Sequence, residues 1–330
     1  MEIVSNSTTP FIEKAARVLI RGGLVAFPTE TVYGLGADAT NKDAVSRIYA
    51  VKGRPTSHPL IVHISSINHL HTWARDVPTY AIKLAKVFWP GPMTLILPRS
   101  EVAQDFITGG QDNVGIRVPS HTVALALLKE FETQGGLGVV APSANRYGKV
   151  SPTTSRSVQS EIGKNLTAND LILEGGLSSI GLESTIIDCT QASPTILRPG
   201  AITSAMVRRS LKSESELKKI KIPNSAVRAP GMLKSHYSPN GKVFLSGDPV
   251  PGDGLIALST VLTPLGVERL ASPKNNSEYA QQLYEALRLA DQKHIENIFI
   301  VPPVGFGIAE AINDRLKKCS YKTSKSDLST

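Results

Sequence analysis

Polar side chains that could bind or orient a ligand directly follow an apolar run in the sequence LVAFPTETVYGLG, residues 24–36. The run LVAF is typical of a buried strand, and the proline after it removes a backbone donor and ends regular pairing. Hydroxyls and a carboxylate then stand at the end of the predicted strand, on Thr29, Glu30, Thr31 and Tyr33. Two interpretations are open: a turn whose side chains bond their own backbone, or one wall of a pocket.

Four further ionisable side chains lie in places that suit ligand binding. The loop KGR carries Lys52 and Arg54 on either side of a glycine, where both could converge on a phosphate chain, although a solvated helix end explains them equally well. His63 and Arg117 each lie within a predicted apolar strand, where an unpaired ring nitrogen or charge is costly. A hydrogen-bonded core histidine is an alternative for His63, whereas Arg117 has fewer structural explanations.

Hydroxyl and amide side chains gather at two more predicted strand ends. Ser143, Asn145 and Ser151 lie on the segment that leaves the strand VVA, and Ser184 follows Glu183 where another strand begins. Each of these residues alone is an ordinary turn residue. Because α/β proteins commonly build their sites at strand ends, the repetition predicts one polar and cationic pocket.

Alternating segments of helical and strand character must position these residues, and they predict an α/β fold. Gly34 and Gly36 are expected to turn the chain after the first strand. Asn41 is the predicted cap of the second helix. The predicted helices cover residues 9–21, 42–51, 80–88, 122–130 and 204–212, and the predicted strands cover residues 24–27, 60–64, 93–97, 114–118, 139–141, 171–176, 184–189 and 195–200.

A change of composition divides the chain into two predicted domains. Residues 213–240 are rich in Lys, Ser, Glu and Pro and have no convincing apolar period, which predicts a linker between a first domain at 1–212 and a second at 241–330. The second part again alternates strands and helices, typical of a small α/β domain. Its last eleven residues, SYKTSKSDLST, are polar and predicted to be disordered.

Composition excludes several classes of protein. The chain has 330 residues, a formal net charge of +8, a pI near 9.4 and two cysteines, and no apolar run approaches the length of a membrane span. We therefore expect a soluble cytoplasmic protein without a membrane anchor, a disulfide framework or a structural zinc. The positive charge suits a nucleotide or RNA, although a solvated basic surface explains it equally well.

Several familiar catalytic motifs are missing from the sequence. It contains no G-x-x-x-x-G-K-[ST] loop, no G-x-S-x-G elbow and no paired Cys/His ligands. The fragment GFGIAE, residues 305–310, follows a predicted strand and opens a helix, but it lacks the third glycine of a dinucleotide fingerprint. A nicotinamide site is therefore poorly supported.

The motifs FPTETVYGLG, KGRP followed by PLIVHI, WPGPMTLIL, VGIRVP, APSAN, ESTI and LRPG occur in this order. Together they resemble the YrdC-type threonylcarbamoyl-AMP synthases, and the linker sequence APGMLKSHYSP, residues 229–239, is similar to that of their long, two-domain form. The resemblance covers about the first 240 residues. It implies a twisted mixed α/β sheet of the YrdC type, flanked by helices around a basic groove, and a smaller Rossmann-like α/β domain.

The resemblance also implies a reaction. Such enzymes join L-threonine, bicarbonate or CO2, and ATP into threonylcarbamoyl-AMP and release pyrophosphate, and a separate complex then transfers the threonylcarbamoyl group to tRNAs that read ANN codons. Mg2+ would bridge the phosphates, without a metal ligand assigned to the protein. Once the threonine amine has become a carbamate, its carboxylate can attack the α-phosphorus directly. The protein then needs to supply orientation and positive charge rather than a covalent nucleophile.

Individual site residues follow from the matched motifs. The resemblance implies that Arg117 pairs with the carboxylate of threonine. The residues expected to face threonine are Thr31, His63, Arg117, Ala141 and Ser184. Those expected to face ATP are Lys52, Arg54, His58, Asn113, Ser143, Asn145, Ser151, Arg198 and Tyr237. Of these, His58 stands where relatives often have Asn, and Asn113 stands where they often have Thr.

Two other functional classes each explain part of the sequence. A double-stranded-RNA-binding module would explain the net charge but not Arg117. A carbamoyl-transferring maturation protein for hydrogenases shares a related domain but carries zinc-type cysteine motifs that this sequence lacks.

Tyr237 and His236 lead us to a lid hypothesis, in which the linker closes over the nucleotide and swings without disturbing either domain core.

Overall fold

A computed structural model describes residues 9–211, 227–231 and 237–320, and also the backbone of residues 2–4. The described residues form two sheets, a mixed one of ten strands and a parallel one of four. Ser320, the first residue of the predicted disordered tail, ends the last described helix, whereas the rest of that tail and much of the predicted linker, His236 included, lie outside the described residues. The predicted domain limits at residues 212 and 240 therefore stay predictions, although the last helix before the linker ends at Leu211.

The larger sheet has the strand order β1-β8-β2-β3-β7-β4-β6-β5-β9-β10. Its strands are β1 (Glu2–Val4), β2 (Val25–Phe27), β3 (Gly34–Asp38), β4 (Ile61–His63), β5 (Met93–Pro98), β6 (Asn113–Arg117), β7 (Val139–Val140), β8 (Leu171–Leu173), β9 (Thr185–Asp188) and β10 (Thr195–Arg198). The smaller sheet has the order β11-β14-β12-β13, with β11 (Lys242–Phe244), β12 (Gly254–Ile256), β13 (Glu268–Ala271) and β14 (Asn297–Ile300). The predicted α/β class is confirmed.

Helices cover both faces of the larger sheet and pack on the smaller one. They are α1 (Thr9–Ile20), α2 (Lys42–Lys52), α3 (Leu70–Trp73), α4 (Thr79–Phe88), α5 (Asp105–Thr108), α6 (Thr122–Thr133), α7 (Ser155–Ile162), α8 (Ser204–Leu211), α9 (Asn276–Gln292) and α10 (Ile308–Ser320). Asn41 caps α2 as predicted, since its side chain accepts hydrogen bonds from the amides of Asp43 and Ala44. Gly53 ends α2 in the left-handed conformation.

Alternation along β2 distributes its side chains between two cores. Leu24 and Ala26 belong to the apolar cluster that includes α2 and α4, whereas Val25 and Phe27 belong to the cluster formed with α1 and α6. Successive side chains of a strand point to opposite faces, so both faces of β2 are buried. The polar residues that follow β2 are thereby held at the end of a strand with two packed faces.

The prediction that Gly34 and Gly36 turn the chain is wrong. Both lie in β3, which pairs antiparallel to β2 with Gly34 opposite Phe27 and Gly36 opposite Val25. The chain reverses earlier, in the segment PTETVY. The glycines serve close packing instead, because a side chain at Gly36 would meet the Phe27 ring at 2.8 Å and Val139 at 2.9 Å.

The sequence does not predict helix α7 or strand β13. Serines occupy part of the buried face of α7, so the apolar period that indicates a helix is broken there. Strand β13 has the sequence ERLA, in which charged residues lead and little alternation is visible. Tertiary packing therefore decides these two short elements.

The two domains meet across a buried interface that contains both apolar and charged contacts. Tyr237 packs in the apolar cluster of the smaller domain, together with Val32 and Leu182 from the larger one. At its centre, Arg315 of α10 lies 3.0 Å from a carboxylate oxygen of Glu183, which also accepts a hydrogen bond from the Tyr284 hydroxyl at 3.0 Å. The smaller domain is thus joined to the larger one by a buried ion pair.

Substituting Gly36→Ala is expected to lower the free energy of unfolding by about 1 to 3 kcal/mol, because the added methyl overpacks the contact between β3 and the Phe27 ring. Chemical denaturation of the variant and the wild type measures the change. An unchanged free energy of unfolding would contradict the close approach described for Gly36.

Acid is expected to weaken the domain interface through Glu183. Burial alone would raise the pKa of this carboxyl, but Arg315, Arg198 and the hydrogen bond from Ser151 lower it from 4.5 to about 2. Because the pKa is lower in the folded state, the stabilisation is present above pH 4.5 and is lost as the pH falls from 4.5 towards 2. Glu183→Gln should therefore cost about 3 to 5 kcal/mol at pH 7 and progressively less in acid.

Denaturation of wild type and Glu183→Gln at a series of pH values between 3 and 7 tests this expectation. A stability difference that stays constant across the series would show that the charge of Glu183 does not stabilise the interface.

Candidate ligand-binding pocket

A pocket with about 640 Å³ of empty space, part of it open to solvent, lies between the ends of the central strands and the linker. Of the 14 predicted site residues, 11 line it, namely Thr31, Lys52, Arg54, His63, Arg117, Ala141, Ser143, Asn145, Ser184, Arg198 and Tyr237. Residues predicted from seven separate motifs thus surround one space.

Three predicted residues do not line this pocket. His58 lies behind it, with its Nδ1 2.9 Å from the hydroxyl of Tyr147. Ser151 donates a hydrogen bond of 2.6 Å to Glu183 and so supports the pocket wall. Asn113 lines a smaller neighbouring cavity together with Arg228 of the linker. Their predicted contacts with ATP therefore stay predictions. In the structure, His58 and Ser151 contact other side chains, and Asn113 faces a different cavity.

Backbone carbonyl groups hold the cations at one end of the pocket. The Lys52 ammonium donates to the carbonyls of Ser143 at 2.6 Å and Asn145 at 2.5 Å. Arg54 donates to the carbonyl of Pro59 at 2.9 Å, and Arg198 donates to the carbonyl of Ser184 through Nε and Nη2.

In the part of the chain that the structure describes, no carboxylate lies within 4 Å of the charged nitrogens of Lys52, Arg54 or Arg198. Burial, together with the charge of Arg54, holds the pKa of Lys52 well below its usual value. Burial also lowers the pKa values of Arg54 and Arg198. A bound polyanion would offset this concentration of positive charge, so this end of the pocket suits a phosphate chain.

The other end of the pocket is built by neighbouring strands. In the parallel pair β4 and β6, His63 stands opposite Arg117. Burial and then the charge of Arg117 lower the pKa of His63 to about 3, which keeps its ring neutral at pH 7. Nδ1 of His63 lies 3.2 Å from the carbonyl oxygen of Ile61. His63 is therefore a hydrogen-bonded buried histidine and also a pocket residue, which reconciles the two interpretations of the sequence.

Arg117 has a protein partner that the sequence does not reveal. Its Nη2 lies 2.7 Å from Glu30 Oε1, and its Nε donates to the carbonyl of Gly91 at 3.4 Å. The second oxygen of Glu30 accepts the amide of Ser120 at 3.1 Å. Because these contacts fix the plane of the guanidinium, Arg117 presents a defined edge to the pocket.

The segment after β2 forms both a local turn, at Thr29, and part of the pocket wall, at Thr31. The Thr29 hydroxyl accepts from the backbone amides of Thr31 and Val32 and donates to the carbonyl of Val32, which makes a local turn. Thr31 lines the pocket, with its hydroxyl 2.8 Å from that of Thr29. On the far side, the Ser184 hydroxyl lies 2.8 Å from that of Thr94.

Several pocket residues are absent from the sequence-based prediction. The ring of Tyr147 lies under the guanidinium of Arg54, and the distance between the guanidinium carbon and the ring centroid is 5.7 Å. Glu183, Pro230 and Gly231 also line the pocket. The position of Glu183 directly before Ser184 was a usable signal, whereas nothing local in the sequence pairs Tyr147 with Arg54.

Tyr237 is buried, and its position corrects the lid hypothesis in one respect. Its ring is stacked on that of Tyr284 with a centroid distance of 5.8 Å, and the guanidinium of Arg315 lies 5.4 Å from its centroid. Its φ of +63° lies in the left-handed region, which is unfavourable for an aromatic residue. Tyr237 therefore cannot leave the pocket without disturbing the core of the smaller domain.

The described residues contain no group of three or more His, Cys, Asp or Glu side chains placed to bind a metal ion. The described helices include none that is long and apolar enough to span a membrane.

Comparisons with known proteins agree with this geometry. Residues 17–200 match the family model Sua5_yciO_yrdC, described as telomere recombination, and residues 202–320 match the model described as threonylcarbamoyl-AMP synthase, C-terminal domain. The threonylcarbamoyl-AMP synthase of Pyrococcus abyssi is 38% identical over 94% of each chain, and that of Bacillus subtilis is 36% identical over 96% of this chain and 94% of the relative.

A solved structure is similar over both domains. The crystal structure of P. abyssi Sua5 complexed with L-threonine has 37% sequence identity and a TM-score of 0.82, with 94% of each chain covered. The match extends through the pocket and the smaller sheet. The chain therefore belongs to the Sua5, YciO and YrdC family, in the two-domain form that carries the threonylcarbamoyl-AMP synthase C-terminal domain.

Proposed function

We propose that this protein is an L-threonylcarbamoyladenylate synthase, a nucleotidyltransferase that joins L-threonine, bicarbonate or CO2, and ATP into threonylcarbamoyl-AMP. The reaction releases pyrophosphate and, when bicarbonate is the carbon source, water. One observation carries the proposal: a pocket in which the carbonyl-held cations Lys52, Arg54 and Arg198 lie beside the strand pair that bears His63 and Arg117. The first group suits a polyphosphate and the second suits an amino acid. Family membership fixes the chemistry that joins the two.

Arg117 would bind the carboxylate of threonine. Glu30 holds one edge of the guanidinium, so the other edge is available to the ligand in a fixed orientation. Neutral His63 and the hydroxyls of Thr31 and Ser184 would form hydrogen bonds with the hydroxyl and amine of threonine. Ala141 limits the pocket beside them.

The phosphate end would stabilise the transfer itself. An oxygen of the threonine carbamate attacks the α-phosphorus, an O–P bond forms, and the bond from that phosphorus to the oxygen bridging the β-phosphate breaks. Negative charge then develops on pyrophosphate, where Lys52, Arg54 and Arg198 already hold positive charge in place. No covalent intermediate with the protein is required.

Mg2+ would enter with ATP, held by the triphosphate, and would supply positive charge that offsets the negative charge of the phosphates. The lining carboxylate, Glu183, is already paired with Arg315, and the other polar lining residues are mainly cations, hydroxyls and amides. These residues fit an ion carried by the triphosphate better than an ion bound to the protein, since Mg2+ prefers carboxylate, phosphate and water oxygens.

The product has a proposed place in tRNA modification. A separate threonylcarbamoyl-transfer complex would use it to form threonylcarbamoyladenosine in tRNAs that read ANN codons, which also makes the cytoplasm the proposed compartment. Direct RNA binding by this protein is a separate hypothesis that rests on the net charge of +8.

The proposed reaction is tested by the release of pyrophosphate from ATP, with and without L-threonine and bicarbonate. Wild-type protein should release pyrophosphate only when both are present. Arg54→Ala should lower the rate at least about tenfold, equivalent to about 1.4 kcal/mol, because charge on the triphosphate loses a fixed partner. Pyrophosphate release that is independent of threonine would contradict the proposal.

Arg117→Ala should weaken threonine binding more than ATP binding, because a fixed guanidinium binds a carboxylate through directional hydrogen bonds. Calorimetric titration of each substrate measures the two losses, and we expect about a tenfold or larger loss for threonine. Arg117→Lys is the matched variant and should restore binding only in part, since an ammonium cannot keep both the Glu30 contact and the ligand contact. Equal losses for both substrates would mean that Arg117 has a structural role.

A further inference from the structure

We propose that Arg315, in the smaller domain, is a positioning residue for the ATP end of the pocket, acting through Glu183 and Tyr237. The inference rests on the proposed function for the identity of the ligand. It assigns the smaller domain a role in substrate binding, because a side chain of that domain holds Glu183 and Tyr237, which line the pocket.

Arg315 contacts three separate segments that surround the pocket. It is 1% exposed, and its Nε lies 3.0 Å from Glu183 Oε2. Its Nη1 donates to the carbonyl of Pro199 at 3.0 Å, directly after the pocket residue Arg198. Its guanidinium carbon lies 5.4 Å from the ring centroid of Tyr237. One side chain of the smaller domain therefore holds two residues that line the pocket and the backbone next to a third.

Glu183 needs a positively charged partner such as Arg315. This buried carboxylate lines the same pocket as the three cations, and without a partner it would repel a triphosphate and compete for Arg198. Both of its oxygens have partners outside the lining. Ser151 donates to Oε1 at 2.6 Å, and Tyr284 and Arg315 each lie 3.0 Å from Oε2.

Tyr237 gives a second link between Arg315 and the pocket. Its backbone is in the left-handed region, which is unfavourable for an aromatic residue, so surrounding contacts must offset the strain. The guanidinium of Arg315 and the ring of Tyr284 provide those contacts from the smaller domain. Loss of Arg315 would thus leave the charge of Glu183 without this partner and remove one of the contacts that hold the Tyr237 ring in place.

The same interface offers a matched control in Arg288. This arginine of α9 is 8% exposed, pairs with Glu161 of the larger domain at 3.1 Å, and donates to the carbonyl of Val150. It does not line the pocket. Arg288→Met therefore removes a buried interdomain arginine whose hydrogen bonds go to Glu161 and Val150 rather than to Glu183 or Tyr237.

The experiment compares the wild type, Arg315→Met, Arg288→Met and the double variant Glu183→Gln with Arg315→Met. Calorimetry measures the Kd of a non-hydrolysable ATP analogue, and thermal unfolding monitors domain docking. Arg315→Met should raise the Kd about tenfold or more, whereas Arg288→Met should lower the unfolding temperature but leave the Kd within about twofold. The double variant should bind more tightly than Arg315→Met, because the amide carries no charge.

Arg315→Lys extends the test to a variant that keeps the charge at this position. Its Kd should be higher than that of the wild type and, where Arg315→Met folds, lower than that of Arg315→Met. If the methionine variant does not fold, a wild-type Kd in Arg315→Lys overturns the proposal. Kd values that rise equally in Arg315→Met and Arg288→Met, no recovery in the double variant, or a wild-type Kd in Arg315→Met if it folds would each overturn the proposal.

The proposed function fails separately. If wild-type protein binds the ATP analogue and Arg315→Met weakens that binding, but no threonine-dependent pyrophosphate appears, the positioning role stands and the synthase activity is wrong. If wild-type protein does not bind the analogue, both are wrong.

Discussion

The central constraint in this structure is the burial of three cations for which the described part of the chain places no carboxylate within 4 Å. Lys52, Arg54 and Arg198 are held by backbone carbonyls, which orient the charges without cancelling them. Those carbonyls must come from irregular backbone, since carbonyls within a sheet are already paired. The segment between β7 and α7, the segment between α2 and β4, the residue directly before β9 and Pro230 of the linker supply them. A polyanion then completes the electrostatics of the site.

The end of the pocket proposed to bind threonine follows a different principle. Arg117 is paired with Glu30, so its charge is partly offset and its geometry is fixed, which suits a single carboxylate better than a phosphate chain. The register of β4 and β6 places neutral His63 beside it. The two ends of one pocket are therefore distinguished by how much of their positive charge the protein compensates.

The smaller domain belongs to this arrangement rather than lying beside it. Its apolar cluster contains Tyr237 of the linker and Val32 of the segment after β2. Its arginine and tyrosine fix Glu183, a carboxylate that would otherwise oppose the cations. The strained backbone of Tyr237 is consistent with a position imposed by packing on both sides.

The sequence by itself determined the fold class, most of the longer elements, and 11 of the 14 residues expected at the site, because strand ends, caps and motifs are local features of the chain. The predicted turn at Gly34 and Gly36 was wrong. Both glycines lie in strand β3, where the lack of a side chain allows close packing. Only the tertiary structure decided that Glu30 pairs with Arg117, that Tyr147 lies under Arg54, and that Arg315 holds Glu183. These partners are separated by 87 residues or more along the chain, so no local pattern can reveal them; they meet because sheet order and domain docking bring their segments together.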